Sequence, residues 1–145
     1  MTIPNIRSYA KLTLFKADSV MYNKSVLVLG ANLPHCVLIE KLRRRGYYIN
    51  VMDYLDNPPG RHLADNYIQE SILSDETVCR VADEVQPLFI ANLCNDRAVV
   101  PAAKASELLK IHNLMSLFTA QNCTDKCRMK EVFIHNGIKP LHTWQ

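Results

Sequence analysis

The sequence predicts an α/β domain with a mostly parallel sheet that is covered by helices on both faces. Three observations indicate this class. Apolar-rich runs, typical of strands buried on both faces, occur at residues 26–29, 47–52 and 88–93. Between them, apolar residues recur at helical spacing, and glycines or prolines mark the boundaries. Such an alternation, with right-handed crossovers, builds a Rossmann-like three-layer domain.

The first half of the chain contains three strands and one helix, followed by the start of a second helix. The first strand ends at Gly30, and Pro34 opens the helix that follows. The second strand ends at Asp53 and leads into a loop that is rich in turn-forming residues. Residues 66–71 predict a short third strand, after which Ser74 is placed to cap the next helix.

The second half continues the alternation. Pro87 ends the second helix, residues 88–93 form the fourth strand, and residues 97–112 form a helix rich in Ala and Leu. A last helix over residues 125–136 is predicted, with Thr124 as its N-cap. Its predicted buried face consists of apolar residues spaced three and four apart, namely Met129, Val132 and Phe133.

Composition and charge exclude several classes of protein. The chain has 145 residues, which fits one domain, and its 48% hydrophobic and 21% charged residues exclude a disordered chain. The net charge of +3 comes from residues 1–24, which we interpret as an N-terminal extension. The rest of the chain is neutral, so we expect no nucleic-acid partner. Residues 9–15 of the extension alternate loosely, as an added edge strand does, and a mitochondrial-type leader is the alternative.

The five cysteines are scattered and odd in number, which favours reduced thiols and a cytoplasmic protein. Arg7, Lys11 and Lys16 interrupt any signal peptide, and no apolar run reaches the ~18 residues of a membrane span. Cys123 and Cys127 could share a helix face, but no histidine or second cysteine pair completes a metal site. We therefore expect neither a membrane partner nor a bound metal.

The candidate binding residues lie at the ends of the predicted strands. Ligands of doubly wound sheets bind outside the carboxyl ends of the strands, which here form one rim of the domain. No nucleophile motif and no acidic cluster of a receiver domain occurs at these ends, so we assign no catalytic residue. The rim residues that we expect to face a substrate are Gly30, Asn32, Asp53, Asn95 and Asp96.

Dinucleotide binding is one chemistry that this rim could serve. Gly30 and Asp53 stand about twenty residues apart, like the first glycine and the acidic residue of a G-x-G-x-x-G site. Asn32 and His35 replace the other two glycines, and a side chain at position 32 blocks the approach of a pyrophosphate. Purely structural roles are the alternative: a tight turn at Gly30, a solvent-exposed turn carboxylate at Asp53, and a helix cap by the Asn-Asp pair after the fourth strand.

Five segments of the chain follow one another in a distinctive order and spacing. They are residues 26–32, 45–53, 57–65, 95–103 and 125–140. Together they resemble the N-terminal (pre-ATP-grasp) domain of ATP-grasp ligases, which include carbamoyl phosphate synthetase large chains, biotin carboxylases and purine-pathway ligases. The last segment is the most specific, because it is similar to the D-K-x-x-M-K…F-x-x-x-G-I-x-x-P helix that leads into the ATP-grasp fold. The resemblance spans residues 25–140, and residues 141–145 are expected to begin the ATP-grasp region.

The resemblance implies a ligase that phosphorylates a carboxylate with ATP and lets an amine displace the phosphate. ATP and Mg²⁺ would be held mainly by ATP-grasp domains of the same parent chain, so the 145 residues should bind neither tightly and should not catalyse alone. Lys126 matches the family's ATP-contacting lysine, and the rim is expected to face a small carboxylate or amine substrate. A second copy of the chain, forming a homodimer, is a further partner that we consider.

The chain departs from the family pattern at residues 33–35 and 112–117. The alternative function is therefore a self-contained Rossmann-like module that binds a nucleotide or dinucleotide. Lys126 also has two interpretations. Its stem could pack on the protein with the ammonium in water, or the lysine and its helix N-terminus could together attract a phosphate.

Overall fold

The computed structural model describes residues 24–139. Within them, four parallel strands form a single sheet, with the spatial order β3-β2-β1-β4. The strands are β1 (Ser25–Leu29), β2 (Tyr48–Asp53), β3 (Asn66–Gln69) and β4 (Phe89–Asn92). The helices are α1 (Leu33–Arg44), α2 (Asp75–Val85), α3 (Val99–Leu109), α4 (Leu117–Thr124) and α5 (Lys126–His135), with 3-10 turns at Pro59–Leu63 and Asp96–Ala98.

Two separate cores confirm the predicted three-layer α/β class. On one face of the sheet, side chains of β1 and β2 pack with α2 and α3, and the cluster includes Leu27, Leu29, Met52, Val78, Val81 and Ala105. On the other face they pack with α1, and the cluster includes Val26, Val28, Ile39, Leu42 and Val51. Successive residues of a strand point to opposite faces, so both faces of β1 are buried. This explains why its sequence is apolar without alternation.

The strand order creates one break in the direction of winding. From β1 the chain moves outward through β2 to β3, and it then returns to place β4 on the other side of β1. Loops from β1 and β4 therefore leave the sheet in opposite directions and open a crevice at the carboxyl edge. We call this crevice the switch point. It lies between Leu29 and Asn92, which are paired in register as the last residues of their strands.

Most of the predicted elements are present, with shifted ends. Ser74 caps α2 as predicted, since its Oγ accepts the N–H of Thr77 at 3.3 Å. The third strand stops at Gln69, and the helix predicted over 97–112 is divided into a 3-10 turn and the shorter α3. The helix α4 was not predicted, because its sequence carries only a weak apolar pattern. Residues 1–23 of the predicted extension (residues 1–24), including the strand at 9–15, and the segment 141–145 lie outside the described residues.

The C-terminal helix differs from its prediction in two respects. Asp125, not Thr124, is its N-cap. The predicted burial of Met129, Val132 and Phe133 is wrong, because none of the three is fully buried and Val132 is exposed. In the described part of the chain α5 packs mainly on α4, which covers only part of its apolar face. No helix within residues 24–139 is long and apolar enough to cross a membrane.

Candidate functional site at the carboxyl edge of the sheet

Asp53 holds the rim together from the end of β2. It is only 3% exposed, and its Oδ2 accepts the backbone N–H of Ala31 at 2.8 Å. Its Oδ1 accepts the N–H of Leu55 at 3.1 Å. The interpretation of Asp53 as a solvent-exposed turn carboxylate is therefore wrong. Both oxygens of the buried carboxylate are bonded to the protein's own backbone, so Asp53 shapes the loop after β1.

A second contact fixes the same loop from outside. The N–H of Gly60 donates to the carbonyl oxygen of Ala31 at 2.8 Å. A Cβ at position 60 would lie 2.8 Å from that oxygen and 3.0 Å from the Ala31 Cα. Only glycine lets the backbone approach this closely. Ala31 is thus held from β2 through Asp53 and from the following 3-10 turn through Gly60.

Gly30 makes the turn that leads from β1 to α1, as the structural interpretation proposed. Its φ is +109°, in the region that favours glycine. The imidazole of His35 packs directly against it, and a Cβ at position 30 would lie 2.6 Å from the ring carbon Cε1. His35 thus fills the space where the dinucleotide fingerprint has its third glycine. From the sequence, His35 is only a departure from that fingerprint.

His35 is buried, with 3% of its surface exposed, and neither ring nitrogen has a hydrogen-bond partner within residues 24–139. Burial lowers the pKa of His35 below its usual 6.5. The carboxylate of Asp53 and the carbonyls of Asn32, Leu29 and Leu93 favour the charged ring and oppose this shift. These carbonyls lie near the ring, although neither ring nitrogen makes a hydrogen bond of normal geometry with them. His35 is therefore a neutral imidazole in surroundings rich in acceptors.

Asn92 ends β4 on the other side of the switch point. Its Nδ2 donates to the carbonyl oxygen of Asn95 at 2.7 Å, whereas its Oδ1 is buried and has no partner in the described part of the chain. Asn92 is not among the residues that the sequence predicts for the rim. The available signal was a polar residue inside the apolar run that predicts β4, where a buried amide needs a specific partner.

The remaining rim candidates differ in accessibility. Asn32 is exposed at the start of α1, and its side chain caps no backbone N–H. Asp96 is also exposed, in the turn after β4. Asn95 is half-buried and makes no side-chain cap, so the predicted Asn-Asp cap is not formed. Asn32 and Asp96 are consequently the rim side chains that are free to contact a ligand. Within residues 24–139, no cluster of three or more His, Cys, Asp or Glu side chains could hold a metal ion.

Lys126 is the first residue of α5, and its side chain is exposed. The N–H groups of Cys127 and Arg128 both donate to Asp125 Oδ1, at 2.8 and 3.3 Å. The helix N-terminus therefore already has an anionic partner. A phosphate at this place would have to be attracted by the lysine ammonium itself, with little help from the backbone.

Comparison with known proteins gives matches only among solved structures. The chain matches no protein-family model and no curated protein. Phosphoribosylglycinamide synthetase from Anaerococcus prevotii is similar over 79% of this chain and 29% of its own, with 23% identity and a TM-score of 0.73.

Two further solved structures are similar to this chain over a comparable range. N5-carboxyaminoimidazole ribonucleotide synthetase from Thermotoga maritima matches 79% of this chain and 31% of its own, with 22% identity and a TM-score of 0.62. L-amino acid ligase from Bacillus licheniformis matches 84% of this chain and 35% of its own, with 18% identity and a TM-score of 0.62. This chain thus spans about a third of the length of each. These proteins are ATP-grasp enzymes that match through their N-terminal parts, so the chain has the fold of a pre-ATP-grasp domain.

Proposed function

We propose that this chain acts as the N-terminal domain of an ATP-grasp ligase that joins a carboxylate to an amine and forms ADP. The observation that carries the proposal is the structural match to three ATP-grasp enzymes, each through the N-terminal third of a longer chain. The sequence motifs at residues 45–53 and 125–140, which resemble the same family, support it independently. Because a fold hosts many functions, the activity has to be argued from the rim and from Lys126.

In this proposal the rim forms one wall of the acceptor site. Asn32 and Asp96 face the substrate because both are exposed at the carboxyl edge. Asp53 acts through Ala31, since its carboxylate is buried and hydrogen-bonded to the backbone. Specificity for a particular carboxylate or amine would come from these loops together with the other domains of the ligase.

ATP and Mg²⁺ would be held mainly by ATP-grasp domains of the same parent chain. Lys126 would contribute a contact to ATP from this domain, because its exposed ammonium forms no ion pair with any residue in 24–139. Phosphoryl transfer depends on positioning and on charge neutralisation by several groups, so one lysine is not sufficient for catalysis. All five cysteines are free, which supports a protein of the reducing cytoplasm.

The proposal is tested by comparing the 145-residue chain with a ligase-length protein that carries it. The longer protein should release ADP only when both a carboxylate and an amine are supplied. The 145-residue chain should show no ATPase activity, and calorimetric titration with ATP and Mg²⁺ should show affinity in about the millimolar range or weaker. Micromolar binding to the short chain would contradict the proposal and favour a self-contained nucleotide-binding module.

A further inference from the structure

Exposed apolar side chains are concentrated near the C-terminal end of the described chain. Within residues 24–139, thirteen large apolar side chains are exposed, and seven of them lie between residues 108 and 138. Single exposed apolar residues are common, whereas a group of them marks a place of contact with another body. We call this group the α4–α5 surface; its members are Leu108, Leu114, Met115, Phe118, Val132, Ile134 and Ile138.

The members of this surface belong to three helices that pack in succession. Helix α4 packs on α3, and α5 packs on α4. The backbone N–H of Leu117 donates to Glu107 Oε1 at 2.7 Å, which holds the start of α4 against the end of α3. Arg128 Nη1 donates to Gln121 Oε1 at 3.1 Å and ties α5 to α4. The exposed apolar side chains are therefore part of one packed unit.

Helix α5 has apolar side chains on opposite sides, but it packs mainly on one neighbour. None of its residues is buried. Val132 is 38% exposed and Ile134 is 64% exposed, and residues two apart in a helix do not share a face. A helix of 10 residues is only marginally stable in water unless an apolar face is packed. The side of α5 that α4 leaves uncovered therefore requires a second partner.

The charges around this surface distinguish the possible occupants. Glu107 and Asp125 accept backbone N–H groups, so their charge is already engaged. The lysines of the same segment form no ion pair within residues 24–139; they are Lys110, Lys126, Lys130 and Lys139. A second copy of the chain would bring the same lysines, and residues 1–24 carry the net charge of +3. Like charge disfavours both of these occupants.

We propose that the α4–α5 surface is the docking site for the ATP-grasp region that would follow in a ligase-length chain. The chemistry of the surface calls for an apolar patch bordered by acidic side chains. The existence of that region rests on the proposed function. Docking would also place Lys126 where the proposed contact needs it, because a lysine of α5 reaches ATP held by the following region only if that region lies against the helix.

The described chain ends beside the surface that it would cover. Gly137, with a φ of +72°, ends α5, and its N–H donates to the carbonyl of Ile134 at 3.0 Å. The N–H of Ile138 donates to the carbonyl of Phe133 at 2.8 Å. A region that continues from this point needs only a short connection to reach the surface, so the loop-closure entropy of docking is small.

The test is hydrogen–deuterium exchange, read by mass spectrometry, of the 145-residue chain and of a ligase-length protein that carries it. Peptides from α4 and α5 should exchange at least about tenfold more slowly in the longer protein, because docking suppresses local opening of these helices. Peptides from α2 should exchange at the same rate in both proteins and serve as the internal control.

A variant separates docking from folding. Ile134→Lys should leave the melting temperature of the 145-residue chain unchanged, because Ile134 is exposed and a lysine suits the last turn of a helix. In the longer protein it should return the exchange of α5 to the rate of the short chain, since docking would bury the new charge. The α2 peptides should stay protected. Val37→Lys, at a position of α1 that is 56% exposed, is the matched control and should change neither quantity.

The inference is overturned if α5 exchanges equally fast in the two proteins, or if Ile134→Lys and Val37→Lys act alike in the longer one. A 145-residue chain that sediments as a dimer with slowly exchanging α5 would also overturn it, because a second copy then covers the surface. Ligase activity is measured separately. An active ligase with an exposed α5 would refute only this inference, whereas docking in a longer protein that releases no ADP would refute only the proposed function.

Discussion

The carboxylate of Asp53 accepts the backbone N–H of Ala31 at 2.8 Å, although 22 residues separate them in the chain. This bond joins the end of β2 to the loop that follows β1, so the neighbouring strands present their loops in one fixed arrangement. The same loop also bonds to Gly60 through the Ala31 carbonyl. The rim is thus held firmly where it meets β2, whereas Asn92, at the end of β4, has a buried side-chain oxygen with no partner in residues 24–139.

Replacing Asp53 tests the first of these statements. Asp53→Ala leaves the buried N–H of Ala31 unpaired and should lower the free energy of unfolding by about 2–3 kcal/mol. Urea denaturation measures the change. Asp56→Ala is the control, because the Asp56 side chain is 84% exposed and its ion pair with Arg61 should contribute less than about 1 kcal/mol. Equal losses in the two variants would show that Asp53 has no special structural role.

The contact of Gly30 with His35 can be measured by a double-mutant cycle. Gly30→Ala should destabilise the protein strongly, since it combines a left-handed backbone with a clash against the His35 ring. In a His35→Ala background the clash is removed and only the backbone strain, about 1 kcal/mol, should remain. Thermal unfolding of the four proteins gives the coupling energy. Strict additivity would mean that the two residues do not touch.

Stability should depend on pH through His35. Its pKa is lowered in the folded protein by burial, so the unfolded chain takes up a proton first as the pH falls. The contribution of His35 to the free energy of unfolding should therefore be constant above about pH 6.5. It should decline as the pH falls below that value and level off below the lowered pKa.

The comparison variant for this pH effect is His35→Phe, which should lose the decline. His62→Phe should keep it, because His62 is exposed. Urea midpoints measured between pH 5 and 8 are sufficient. A decline that survives in His35→Phe would assign the effect to other groups.

A dinucleotide should not stabilise this chain. The side chain of Asn32 stands where a pyrophosphate needs bare backbone, and Asp53, the acid expected to hold a ribose, is buried and bonded to Ala31 and Leu55. NAD or NADP at millimolar concentration should therefore leave the melting temperature unchanged. A rise of several degrees, which requires binding to the folded state, would revive the dinucleotide-binding alternative.

Lys126 should matter for ATP and not for folding. In a ligase-length protein, Lys126→Ala should raise the KM for ATP at least tenfold, a loss of about 1.4 kcal/mol. The melting temperature of the 145-residue chain should not change, since the side chain is exposed. Lys41→Ala, on the exposed face of α1, is the control and should affect neither quantity. An unchanged KM in Lys126→Ala would reduce this lysine to a surface residue.

The architecture of the domain could be predicted because its signals are local. Unbroken apolar runs mark strands with two buried faces, and residues such as Gly30 and Ser74 mark ends by their own conformational preferences. The same locality explains the errors. Thr124 and Asp125 are both good caps, and only the path of the chain between α4 and α5 selects Asp125.

The binding rim was predictable as a set of loops but not as a set of contacts. By itself the sequence determined that Gly30, Asn32 and Asp53 lie at strand ends, because parallel strands place those ends on one edge. Only the tertiary structure decided that Asp53 bonds to Ala31, and that the ring of His35 and the Oδ1 of Asn92 are buried. The physical reason is that hydrogen-bond partners and burial come from residues distant in the chain, and a residue's type does not reveal whether another group has already paired with it.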